Sequence, residues 1–138
     1  MSPQEKIQNL LTAIQDSNEL YLEIAKTPPS KKNSKNIVRA KGRMFIIPSK
    51  GHKEWHTEAL WGLKPYQGAF LNPKMILCTI YAKDARKWDI SNKWESVQDL
   101  LVDANILTDD NYENIANLFL TFGGIDRKNP RSEVYIYY

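Results

Sequence analysis

The sequence predicts an α+β fold: a mixed β-sheet flanked by helices, with an added helix at the N-terminus. Three observations carry this expectation. Segments with helical spacing of apolar residues are interleaved with short strand-like runs. One of those runs, KMILCTIYA (74–82), is nearly all apolar, as a strand buried on both faces would be. Proline, glycine and polar clusters punctuate the chain between them. A length of 138 residues suits one modest core. The expected organisation is a helical extension over 1–18 followed by the main domain over 19–138.

In PQEKIQNLLTAIQ (3–15), Ile7, Leu10, Leu11 and Ile14 keep helical spacing, and Ser2-Pro3 suits a cap and first turn. LYLEIA (20–25) alternates, with Leu20, Leu22 and Ile24 on one face, as a half-buried strand does. KTPPSKKNSKN (26–36) reads as a loop, because its prolines lack donors and the rest is polar or basic. IVRAKGRMFIIP (37–48) reads as two short strands joined around Lys41-Gly42. A helix is expected over 49–64, with Trp55, Ala59 and either Leu60 or Leu63 inward, and another over 91–105. NIANLFLTF (114–122) reads as a strand, or as a helical turn over its N-terminal half, Gly123-Gly124 as a turn, and SEVYIYY (132–138) as a closing strand. Either LYLEIA or SEVYIYY is a candidate pairing element for a second copy.

Composition excludes several classes. No window approaches ~18 consecutive apolar residues, so no membrane span is expected. The N-terminus carries acids early and has no apolar core before a small-residue cleavage site, which argues against a secretory signal. The single cysteine, Cys78, lies in the apolar run, where a buried inert thiol is expected. One cysteine allows no intrachain disulfide and no all-cysteine zinc site, and it suits a cytoplasmic location.

Charge is distributed unevenly. Lys26, Lys31, Lys32, Lys35, Arg39, Lys41, Arg43 and Lys50 fall in a segment with no acid. Asp89, Glu95, Asp99, Asp103, Asp109, Asp110 and Glu113 fall in one whose sole base is Lys93. Such a split suits a protein that grips a polyanion and also needs local negative charge, or one whose two halves meet only each other and water. At about 100° per residue, Val97, Leu100, Leu101 and Ala104 share one arc of the 91–105 helix, while Asn92, Glu95 and Asp99 share the opposite side. Glu95 and Asp99 repel at that spacing unless a cation offsets them. Oxygen-only ligands, with Ser91 nearby, suit a hard ion such as Mg²⁺ or Mn²⁺. A solvated polar face, with Asx turns at Asp109-Asp110, accounts for the same residues without a ligand.

The stretch WDISNKWESVQDLLVDANILTDDN resembles the RusA-type Holliday-junction resolvases, structure-selective endodeoxyribonucleases often carried by phages. That family has Asp-x-Asp-Asn at a helix start, a further Asp two turns on, and an Asp-Asp pair beyond the helix. Asp89, Asn92, Asp99, Asp109 and Asp110 fall in that register, and TPPSKKNSKN after LYLEIA resembles the family's strand followed by Pro-Pro-Ser and a basic loop. The resemblance spans Leu20 to Tyr138. It implies a RusA-like fold and a homodimer that cuts branched DNA with a Mg²⁺-dependent acidic cluster. Asp89 and Asp110 would be metal ligands with Asp109 beside them, and Asn92 and Asp99 would shape the helix start and the cluster. One departure matters: the second Asp of the family pattern is Ser91 here, a weaker neutral ligand. Glu95 stands where some members have lysine, and its carboxylate would restore the missing charge. Without that compensation, the expectation is a weakened relative that binds branched DNA or a protein partner without cutting.

Lys31, Lys32, Lys35, Arg39, Lys41 and Arg43 are the candidate phosphate contacts, since lysine and arginine give salt-dependent and largely sequence-independent affinity. Arg86 and Lys87 precede Asp89 and would hold phosphates flanking the scissile bond. Arg127, Lys128 and Arg131 form a lesser basic turn. His52 and His56 have the spacing of a shared metal site but no third ligand, so a helix surface or core edge explains them. The four tryptophans read as packing residues, with Trp88 the exception as a possible base-stacking platform.

Overall fold

A computed structural model describes residues 1–30 and 35–138, and describes the backbone alone at 35–40 and 45–48. The fold is α+β, with helices α1 (Pro3–Gln15), α2 (Lys50–Gly62) and α3 (Ile90–Asp103) and strands β1 (Glu19–Ala25), β2 (Lys35–Ala40), β3 (Arg43–Pro48), β4 (Met75–Ala82), β5 (Leu118–Ile125) and β6 (Arg131–Tyr137). Four strands form a mixed sheet in the order β1-β6-β4-β5, and β2-β3 is a separate hairpin. β6 runs antiparallel to both its neighbours, whereas β4 and β5 are parallel and are joined through α3.

Helix α1 begins with a reciprocal cap: the Glu5 N–H donates to Ser2 Oγ at 3.2 Å and the Ser2 N–H to Glu5 Oε2 at 3.3 Å. Its apolar stripe is real but unburied, since no residue of α1 is buried and Ile7 is 54% exposed. The backbone of Asn18 exchanges both hydrogen bonds with Tyr138, which ties the helix to the sheet through a two-residue link.

The core lies on one face of the sheet. Leu22 and Ile24 of β1, Ile76, Cys78 and Ile80 of β4, and Val134 and Ile136 of β6 form aligned rows. They pack with Trp55 of α2 and Val97, Leu100 and Leu101 of α3. Side chains of this kind stabilise the fold by about 1.5–3 kcal/mol each when fully buried. Burial pushes the Cys78 thiol up to about 12, so it stays protonated and inert. Of the inward residues expected on the 49–64 helix, Trp55 and Leu63 are buried and Ala59 and Leu60 pack at the core's edge.

Two expectations are corrected. Gly123-Gly124 is not a turn but part of β5, where pairing steps from Ile80↔Phe122 to Tyr81↔Gly124 and Gly123 is the extra residue of a bulge. A Cβ on Gly123 would lie 2.7 Å from the Tyr81 ring, so the close approach needs glycine. SEVYIYY cannot offer a free edge, because β6 is paired on both sides; the edges are β1 and β5. At the turn between β2 and β3, Lys41 and Gly42 both have positive φ, 51° and 73°, as a tight two-residue hairpin requires.

Candidate nucleic-acid interface

Strands β1, β4 and β5 run in the same direction, so their carboxyl ends share one edge of the sheet. In open sheets with helical crossovers that edge is where ligands collect. Here it is built by the chain leaving β1 at Lys26–Pro29 and the chain leaving β4 at 83–88. The Lys26 backbone turns with φ of 69° and its N–H donates to the Pro130 carbonyl at 2.8 Å. Thr27 Oγ1 donates to the Tyr81 carbonyl at 3.3 Å, and the buried Ser96 hydroxyl of α3 donates to the Pro29 carbonyl at 2.6 Å. These bonds fix the root of the basic loop against the sheet and α3.

Between these segments and α2 opens a cleft of about 580 Å³. Its wall includes five bases, Lys26, Lys83, Arg86, Lys87 and Lys93, and three acids, Glu54, Glu58 and Asp84. Each acid is already engaged: Glu58 with Lys26 at 2.9 Å, Asp84 with Arg86 at 3.3 Å, and Glu54 with Lys50 at 3.8 Å. The backbone N–H of Arg86, with the nearby charges of Arg86 and Lys83, holds the Asp84 carboxyl below its usual range. Lys83, Lys87 and Lys93 form no ion pair among the described residues. Lys93 is half-buried, with its ammonium 5.6 Å from the centre of the Trp88 ring. Desolvation, with Lys83 close by, pulls its pKa down. On the other side of the same 84–88 segment lies an apolar hollow of about 500 Å³, walled by Trp88, Ile90, Phe122 and Ile125.

The acids line α3 and its exit. Asp89 caps the helix: its Oδ1 accepts from the Ser91 N–H at 2.9 Å, the Ser91 hydroxyl at 2.6 Å and the Asn92 N–H at 3.4 Å. Beyond the helix, the Asp109 carboxylate accepts from the Asp110 N–H at 2.7 Å, and Asp110 accepts from Gln98 Nε2 at 3.3 Å. Gln98 is itself fixed by the Trp94 indole N–H at 2.9 Å. Asp110 therefore returns to the middle of α3 rather than to its head. Helical geometry places Ser91, Glu95 and Gln98 on one stripe, with Ser91 and Gln98 about 10 Å apart along the axis. Glu95 lies between the two ends and is exposed. Asp99 is half-buried on the flank nearer Asp103, whose carboxylate meets His56 of α2 at 2.8 Å.

The structure thus brings Asp89 together with Ser91 and Asp109 together with Asp110, as two pairs spanned by Glu95. Among the described residues, no group of three or more His, Cys, Asp or Glu side chains is close enough to hold one metal ion. The donor chemistry fits a hard cation all the same. Mg²⁺ is commonly held by one or two carboxylates, with water and substrate phosphate oxygens completing its shell.

Of the expected phosphate contacts, Arg86 and Lys87 line the cleft, and Lys41 and Arg43 are exposed at the tip of the hairpin. Lys31 and Lys32 lie outside the described residues; Lys35 and Arg39 sit on β2, with their side chains outside the description. Arg131 is not a free base, since it bonds Asp126 at 2.9 Å and lies near Glu133 and Glu23. His56 is a core-edge residue paired with Asp103, in keeping with the blander expectation. Sequence reasoning did not single out Lys83 or Lys93. Lys83 had a usable signal, its place just after the carboxyl end of the central strand, whereas Lys93 stood out only as the lone base in an acidic run. No helix among the described residues is long and apolar enough to cross a membrane. No protein-family model matches the chain, and a search of curated proteins also gives no match.

Proposed function

We propose that the protein is a Mg²⁺-dependent endodeoxyribonuclease of the RusA resolvase type, acting in the cytoplasm as a homodimer on Holliday junctions or other branched DNA. The observation that carries this reading is adjacency. A cleft with three lysines that form no ion pair among the described residues ends at Trp88, and the acidic stripe of α3 begins at Asp89. Acids alone repel DNA, and bases alone bind it without cutting; the two together suit phosphodiester hydrolysis. Arg86 and Lys87 hold phosphates beside the scissile bond and stabilise its developing charge. Asp89 at the head of α3 and Asp110 at its middle, with Asp109 alongside and Glu95 between the two, would supply the separate carboxylates that hold Mg²⁺ or Mn²⁺. When bound, such an ion lowers the pKa of water and offsets charge on the phosphate.

A second reading, junction binding without cleavage, draws on one contact. The Ser91 hydroxyl occupies Asp89 Oδ1 at 2.6 Å, where the family pattern has a second carboxylate. Cleavage of a labelled four-way junction, compared with its linear arms in Mg²⁺, separates the two. The nuclease reading expects paired nicks at the junction that vanish in Asp89→Asn and Asp110→Asn. Tight junction binding without nicks supports the second reading, and neither activity overturns both.

A further inference from the structure

The bases of the cleft suggest more than general attraction to DNA. Lys83, Lys87 and Lys93 come from two separate segments, the exit of β4 and the first turn of α3, yet they face one cavity. Every acid in the wall is already paired with another base, and these three lysines form no ion pair among the described residues. Lys93 is half-buried, so its charge has lost part of its water, and an anion in the cleft would offset that loss. Trp88, Trp55 and the Pro28-Pro29 rim give the wall an apolar part as well. At about 580 Å³ the cleft falls within the range that encloses a small organic ligand, and a duplex has no room to enter.

We propose that the cleft is a subsite for one nucleotide unit, its phosphate held by Lys83, Lys87 and Lys93 and its sugar and base lying against Trp88 and the proline rim. This adds a binding site whose wall includes none of the candidate metal ligands Asp89, Ser91, Glu95 and Asp110. It rests on the nuclease reading only for the source of the nucleotide, an unstacked residue in a branched strand. The chemistry is shared by an internal phosphodiester and by the terminal phosphate of a free nucleotide or strand end. Aromatic contact with an unstacked base is tolerant of sequence, which suits a reader of DNA shape.

The test is an NMR titration of the full chain, following the Trp88 indole N–H resonance. Three probes are added separately without metal: thymidine monophosphate, the dinucleotide TpT with its single internal phosphodiester, and inorganic phosphate. A saturable shift with either nucleotide probe, tighter than with inorganic phosphate, is the expected result. Response to TpT identifies a strand-internal phosphate, and response to the monophosphate alone identifies a terminal one. The double variant Lys83→Met, Lys93→Met should weaken binding by about tenfold or more, because charge-assisted contacts are lost while the apolar stems remain. Lys87→Met, at an exposed position, gives a second variant in which folding is not at issue and should weaken binding in the same direction. The proposal is overturned by no shift with either nucleotide, by equal affinity for inorganic phosphate, or by unchanged affinity in the lysine variants. The titration contains neither junction nor metal, so its result is independent of whether the protein cuts DNA.

Discussion

At the scale of single residues, Asp89 has an observed role and a proposed one, and substitution can separate them. As the cap of α3 its carboxylate accepts two backbone N–H bonds, and asparagine fills that position about as well. Asp89→Asn should therefore leave the urea midpoint nearly unchanged while removing cleavage, whereas Asp89→Ala should also lose about 0.5–2 kcal/mol of stability. Chemical denaturation of both variants checks this; equal destabilisation would show that the charge, not the cap, is what the fold needs. Gly123 has the opposite character, with no chemistry and no freedom. A methyl there would meet the Tyr81 ring at 2.7 Å and Thr79 Cγ2 at 2.8 Å, while the Arg131 guanidinium lies 3.9 Å over the same ring. Gly123→Ala should cost about 1–3 kcal/mol through overpacking, read from the shift in urea midpoint. The sequence could not reveal this position, because Gly-Gly after a strand has the same local signature whether the chain turns or bulges.

At the scale of elements, local spacing identified the helices well. Capping residues and the 3.6-residue period are written in contiguous stretches, so α1, α2 and α3 were legible to within a few residues. What α1 packs against was not legible, and its stripe is left largely unburied. Strand order was equally hidden: the alternation in β6 reads the same for an edge strand and an interior one. The β5–β6 connection offers a test at this scale. The backbone N–H of Asn129, aided by Arg131, holds the Asp126 carboxyl below its usual value near 3.8. A depressed folded-state pKa means stability that is present above about that value and lost as pH falls through the lower one. Asp126→Asn should therefore flatten the acid limb of a stability–pH profile and change little near neutrality. An unaltered acid limb would remove this carboxylate from the account.

At the scale of the whole molecule, three parallel strands deliver their carboxyl ends to one edge, and the cleft is assembled there from pieces distant in sequence. That is why the acidic run was visible in the sequence and the cleft was not: no window holds Lys26, Lys83 and Lys93 together. The two sheet edges differ in character. β5 exposes Leu118, Phe119, Phe122 and Ile125, between 38% and 54% accessible, and adjoins the hollow beside Trp88. An apolar edge of this kind is a template for pairing. If the proposed homodimer uses it, Phe122→Glu should convert the dimer to monomer in light scattering coupled to size exclusion, with the thermal midpoint little changed. A dimer that survives the substitution would place the contact elsewhere, with β1 the remaining edge.

The hydrogen bond from Ser96 to the Pro29 carbonyl carries a consequence for how the two charged halves work together. The basic loop springs from a point pinned to the helix that carries the acids, five residues after Asn92's neighbour Ser91 along that helix. On the proposed reading, grip and blade are thus mounted on one handle. The chain that leads into the basic segment takes its first step, at Pro29, from α3 itself. In the proposed nuclease, the offset between where a strand is grasped and where it meets the carboxylates is then set at one side-chain contact.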